Sequence, residues 1–500
     1  MGIVVRQSII TTIISYIGVI IGYINLLYLF PKFLAPEQLG LLRTVQDAAI
    51  LFAPFAQFGI AQSIYRYYPR FALDKKTAAS FISLMLVLGL LGFLFFFFVF
   101  TLFENTVLSY FQENAAEVIQ YTSIVLWLTL VLLMTAILEA YSRSALKVIV
   151  PNLLREIVVR SLLAILVVLY FQEFLTYHQF IISTVLAYFL CLLILFAYLS
   201  LSGQIRLTTN FRILNRAQTF EFIKYSLLSF AGTAGLIIVG KIDSLMVSGL
   251  LGLAATAVYT TAFYMATVIE IPKRAISQIV MPLISRAFEK KDLSDVANLY
   301  QKTSINQFII GALLLIGVWA NLGNIFSLMP RQEIYEAGKW VVVIVGTGKL
   351  IDMVFGPSSE IIVLSKYYWF NIILILLLAA TLILANNFLI PTYGINGAAI
   401  GAASALLLFN FVKYLFVYNR FKFQPFTFNT GKVLLISLLT VSLNEFLPDI
   451  KNVFIDIAYR STLLTLFYGI LVIVLKPSED SNRLFKSGVT KLSELFKGVK

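Results

Sequence analysis

The sequence predicts an all-α polytopic membrane protein of about fourteen transmembrane helices, and three observations carry that prediction. Of its 500 residues 60% are hydrophobic and 13% charged, with a mean hydropathy of +0.90. A soluble chain carries about 25% charged residues. Runs such as AASFISLMLVLGLLGFLFFFFVFTLF at 78–103 exceed the ~20 apolar residues that take a helix across hydrocarbon. These runs are apolar all round, without the two-residue alternation of a membrane β-barrel strand, so their backbone groups must be satisfied within helices.

In chain order the apolar segments are 8–30, 40–64, 78–103, 118–138, 156–171, 178–201, 219–249, 254–275, 303–326, 340–364, 367–390, 395–418, 431–447 and 453–474. The opening MGIVVRQ has one Arg and no small-residue cleavage site behind it, which predicts a retained first span rather than a signal peptide. The fifth segment is short, and the seventh is long enough to tilt or bend. Thirty of the 38 Lys and Arg residues, Lys273 and Lys413 among them, fall on connections and ends that share a side with the N-terminus. Lys32, Arg331, Lys339 and Lys451 fall on the other. By the positive-inside rule both termini are cytoplasmic. The net charge of +13 is therefore mostly topology. Its spread over many connections, rather than one stripe, is not the footprint of a nucleic-acid binder. Single Cys191 excludes an intrachain disulfide, and single His178 cannot build a histidine metal site; no metal or cofactor is expected.

A repeat emerges at an offset near 216. Gly40 aligns with Ala257, Ala61-Gln62 with Ser277-Gln278, Arg70 with Arg286, and Thr176-Tyr177 with Thr392-Tyr393. Segments 1–6 and 7–12 then form two six-helix lobes of equal orientation, 1–210 and 211–425. That is the parallel-repeat plan of alternating-access transporters, with a solute path expected between lobes. Two additional helices follow in 426–475. Residues 476–500 read as a basic amphipathic cytoplasmic tail, lying on the anionic inner leaflet or frayed from it.

Charges inside the apolar segments are the candidates for function. Arg43 and Asp47 are four apart and share a helix face. Lys241 and Asp243 interrupt GLIIVGKIDSLMVSGLLG at 235–252. Lys349 falls about ten residues into its segment, near mid-membrane, with Asp352 one turn on. Glu270 with Lys273 and Arg274, Glu360, and the four-apart pair Asp456/Arg460 lie nearer the membrane ends. Each has a structural reading, in which opposite charges neutralise one another or long side chains snorkel to the interface. The functional reading makes Arg43, Lys241 and Lys349 contacts for an anionic substrate, and Asp47, Asp243 and Asp352 charge-balancing or ion-coupling groups. No phosphate-binding loop is present. The outer connection at 104–117 lacks a catalytic constellation, so an enzyme is not expected.

The stretches LAPEQLGLL at 34–42, DSLMVSGLLGLAATAVY at 243–259, IPKRAISQIVMPLISRAF at 271–288, GPSSEIIVLSKYY at 356–368 and YGINGAAIGAAS at 393–404 carry a resemblance. The chain resembles the polysaccharide (oligosaccharide-lipid) flippases of the multidrug/oligosaccharidyl-lipid/polysaccharide exporter superfamily, O-antigen flippases included. Ala257 stands where that family often has Gly. The resemblance implies a V-shaped bundle in the bacterial inner membrane. It would translocate an undecaprenyl-diphosphate-linked oligosaccharide to the outer leaflet for surface polysaccharide or lipopolysaccharide, beside polymerase and chain-length machinery. A diphosphate suits Lys and Arg donors. In that reading Asp243 offsets Lys241 or takes part in ion coupling. Two alternatives remain open. One is a multidrug and toxin extrusion-type exporter, whose cationic substrates favour uncompensated acids; the other is a lipid-linked peptidoglycan precursor flippase.

Overall fold

Helices form wherever the apolar segments predict them. The computed structural model describes residues 3–478 and 480, apart from 73, 204, 210, 212 and 214, and all regular elements among the described residues are helical. The tail expected from 476 onward lies, from residue 481, outside the described residues. The chain folds as two compact units, Met1–Thr260 and Thr261–Lys500.

In the first unit the long helices are α1 (Ile10–Phe33), α2 (Pro36–Gln57), α3 (Ile60–Phe71), α4 (Lys75–Ser109), α5 (Thr122–Ser144), α6 (149–171), α7 (Tyr177–Leu201) and α8 (Arg216–Leu251). Polar caps set where several begin. The Asp74 carboxylate accepts the Thr77 amide at the start of α4, and Thr176 and Asn215 form capping boxes with Gln179 and Gln218 at the starts of α7 and α8. Each satisfies donors that the first turn leaves orphaned. The fifth segment, expected from 156, starts at 149 and passes through a π-turn at Leu154–Val158. Arg155 and Arg160 are held there by Glu139 and Glu156.

Helix α9 (Leu253–Glu289) follows, with a 3-10 turn at Val268–Glu270. The second unit then contains α10 (Leu293–Ala320), α11 (Lys339–Val354), α12 (Ser358–Leu364), α13 (Tyr368–Tyr393), α14 (Ile395–Phe421), α15 (Phe428–Glu445) and α16 (Val453–Leu475). The tenth segment is broken: α11 and α12 are bent by 50° at residues 355–357. Gly356 supplies the left-handed turn (φ +61°), and a Cβ there would sit 3.0 Å from Ser304 Cβ of α10. Helices α15 and α16 pack on α10 through Val433, Ile436, Leu464 and Tyr468. Asp456, Arg460, Asn444 and Asn324 pin their far end.

By length and composition eleven helices among the described residues can cross a membrane, and twelve with the bent pair, so the count of fourteen is not reached. The two segments that fall short are helical. The fifth carries Arg155, Glu156 and Arg160 in its first half, and the thirteenth, α15, mixes Asn429, Thr430, Lys432, Asn444 and Glu445 into 18 residues.

Candidate functional site

A seam of small and polar residues positions the charges of the first unit. Helix α8 runs antiparallel to α2 and α3. Thr44 Oγ1 donates to Ser248 Oγ at 3.0 Å, the Ser63 and Ser226 hydroxyls meet at 2.6 Å, and Arg66 reaches Glu221 at 3.2 Å. Two glycines permit this approach. A Cβ on Gly40 would sit 1.8 Å from the Leu253 carbonyl oxygen, and one on Gly59 2.1 Å from that of Ser226. Gly59 is also in the left-handed region (φ +76°), which only glycine adopts without cost. Gly40 belongs to the LAPEQLGLL stretch, so that motif is a packing device.

Within this seam the Lys241 ammonium reaches Asp47 Oδ1 at 2.5 Å. The pair joins α8 to α2. Its two members are unequally placed: side-chain exposure is 18% for the lysine and 4% for the aspartate. Asp243, two residues on, is buried and accepts the Tyr259 hydroxyl at 3.2 Å. Arg43 donates to Gln46 Oε1 at 3.3 Å and lies over the Phe30 ring at 5.5 Å. Residues Asp47 and Lys241, distant in sequence, are thus brought together.

The second unit holds a larger cluster built by α9, α11, α12 and α14. Lys349 lies 2.6 Å from Glu270 Oε2, which also has Arg274 at 3.5 Å. Asp352, one turn beyond Lys349, is paired instead with Lys273 and stands 3.9 Å from Lys413. Lys413 Nζ donates to Ser359 Oγ at 3.0 Å and lies 4.2 Å from the centre of the Phe409 ring. Ser277 donates to Glu360 Oε1 at 2.7 Å. The lysines and carboxylates alternate, so each charge has an opposite neighbour.

Two residues here stand elsewhere than the positive-inside tally places them. Lys273 and Lys413, counted with the cytoplasmic connections, lie in helices and pair with Asp352; Lys413 is almost fully buried. The tally falls by two without changing sign. The signal for Lys413 was present in its flanks, since ALLLFNFV and YLFVY bracket it. Glu270, Lys273, Arg274 and Glu360 were named among the intramembrane charges without a site role, and Lys413 was not among those charges. Among the described residues no group of three or more His, Cys, Asp or Glu side chains is placed to hold a metal.

Residues 4–288 match the model of the family described as "Polysaccharide biosynthesis protein". The chain belongs to that family. No curated protein matches it. Among solved structures it is similar to the lipid II flippase MurJ in its inward closed conformation, with a TM-score of 0.75 over 93% of this chain and 98% of that one, at 13% identity. An inward-facing multidrug resistance MATE family transporter of the MOP superfamily gives 0.64 over 79% and 92%, at 14% identity. A MOP superfamily transporter from Pyrococcus furiosus, described by the reverse polarity of its binding pocket, gives 0.57 over 84% and 95%, at 14% identity. At these identities the likeness is one of fold. The family is one of polysaccharide biosynthesis, the fold is that of MOP-superfamily flippases and exporters, and the chain is a multi-pass membrane protein.

Proposed function

We propose that this protein is a flippase for a lipid-linked oligosaccharide. It moves an undecaprenyl-diphosphate-linked sugar unit from the inner to the outer leaflet of the bacterial inner membrane by alternating access, with both termini cytoplasmic. The observation that carries this reading is the inequality within the Lys241–Asp47 pair, in which the lysine is the more open member and the acid stands behind it. An incoming diphosphate meets a cation already desolvated and held. Asp47 neutralises Lys241 while no substrate is bound, and when phosphate oxygens take the ammonium, the carboxylate is left as the charge-balancing or ion-coupling group. Arg43 is a second donor in the same unit. Lys349, with Glu270 as its resting partner, serves the same role in the other. A carrier of cationic drugs would be better served by the reverse arrangement, with the acid exposed and the lysine buried.

The test is transport by the purified full-length protein in liposomes. Loss of one charge-assisted contact, worth about 1.5–3 kcal/mol, lowers substrate affinity roughly ten- to hundredfold. Lys241→Ala is expected to show that fall at normal abundance, and Lys241→Arg a smaller one. Three substrates separate the readings: an undecaprenyl-diphosphate oligosaccharide, a lipid-linked peptidoglycan precursor and a cationic dye. Transport of the dye alone, or an unimpaired Lys241→Ala protein, overturns the proposal.

A further inference from the structure

We propose that the first unit carries a site for an anionic membrane phospholipid, one acyl chain lying in an apolar groove between α4, α5 and α7 and the headgroup at the Lys76 end. The groove has a volume of about 470 Å³ and an almost wholly apolar lining, including Val87, Leu90, Trp127, Met134 and Phe189. All three wall helices are long and apolar enough to cross a membrane. Trp127, Leu90 and Phe189 are large and exposed at its rim, so the open side faces bilayer hydrocarbon.

Depth sets which part of a lipid fits. At 1.5 Å per residue, Ser83 stands about 12 Å and Leu90 about 22 Å from the start of α4 at Lys75. The groove thus lies at acyl-chain depth in a core of about 30 Å. One end is built differently from the other. The Ser83 hydroxyl donates to the Ala79 carbonyl and accepts the Thr208 amide at 3.0 Å, which fastens the 205–208 stretch across α4. Ile205 is buried and its amide donates to the Leu199 carbonyl. Leu207 and Phe211 then complete the lining from outside the helices while remaining exposed. The cations follow the same stripe. Lys76, Ser83 and Leu90 are seven apart, on one face of α4, and both Lys76 and Arg206 are exposed. An apolar trough with a hydroxyl and two cations at one end matches an amphiphile with a negative headgroup, not a neutral hydrocarbon.

Native mass spectrometry of the full-length chain tests this, with phosphatidylglycerol and phosphatidylethanolamine of identical acyl chains as probes. The wild type is expected to retain phosphatidylglycerol preferentially. Val87→Trp, which fills the groove, is expected to abolish retention, whereas Leu102→Trp, exposed on α4 about three turns beyond Leu90 and off the groove-lining face, leaves it intact. Lys76→Gln and Arg206→Gln, both at the surface, are each expected to weaken phosphatidylglycerol about fivefold, with phosphatidylethanolamine unchanged. Equal retention of the two lipids by the wild type, or no effect of Lys76→Gln and Arg206→Gln, overturns the headgroup assignment. Equal retention by the two Trp variants overturns the groove. Displacement of phosphatidylglycerol by an equimolar polyprenyl phosphate overturns the choice of occupant.

Discussion

Asp47 in the first unit has one lysine, Lys241, reaching it from the seam between α2 and α8, while Asp352 in the second stands between two, Lys273 and Lys413. Around Asp352 the neighbours continue through Ser359, Glu360 and Ser277; around Asp47 the seam is made of small side chains and glycines. A pair and a cluster answer differently to the same injury. Removing one member of a pair takes away a whole ion pair at once. Removing the centre of a cluster leaves two like charges facing each other.

The largest effect is therefore expected at Asp352. Asp352→Asn keeps the shape but takes from Lys273 and the nearly inaccessible Lys413 their nearest carboxylate, which costs about 3–5 kcal/mol for a broken buried pair. Thermal unfolding of the purified protein should show a marked fall in Tm, partly recovered when Lys413→Met is added. A wild-type Tm for Asp352→Asn would remove the energetic distinction between the two units.

The pair is sharpened by a double-mutant cycle. Lys241→Ala and Asp47→Ala should each destabilise, and the double variant should recover part of the loss, with an interaction energy of about 0.5–3 kcal/mol. The same double variant should still fail to transport the lipid-linked oligosaccharide. Lys241→Ala combined with Asp243→Ala should give no recovery. Recovery there instead would make the resting partner of Lys241 intrahelical. The smallest effect belongs to the exposed end of the same seam. Arg66 and Glu221 are nearly half exposed, and Glu221→Gln should change stability by less than about 1 kcal/mol in the same melting assay.

Helices were legible from the sequence because a long apolar run has few alternatives in lipid, and each of the fourteen segments lies on helical residues. The membrane-crossing count was less legible. The fifth and thirteenth segments are polar enough that their role depends on neighbours, not on composition. The partners of the charges were the least legible. Lys241 and Asp243 look like a couple when read along the chain, but residues two apart on a helix point in different directions. The partner that reaches Lys241 lies 194 residues away. Lys349 and Asp352, three apart, do share a face, yet each is met by a side chain of α9, Glu270 and Lys273. Those contacts follow from tertiary packing, which no local spacing encodes. A lysine in an otherwise apolar run, as at 413, is the readable trace of such a contact, and its flanks distinguish it from a lysine in a connection.

The positions of these charges along the chain also order its biogenesis. Synthesis from the N-terminus delivers Lys273 to the bilayer first, then Asp352, then Lys413, and each later charge finds an opposite one already inserted. Lys413, the most buried of the three in the folded protein, arrives when its carboxylate is waiting. Asp47 is met differently, since its lysine follows only after four more of the apolar segments have emerged. The first segments of this protein therefore carry Asp47 ahead of its lysine until α8 is made.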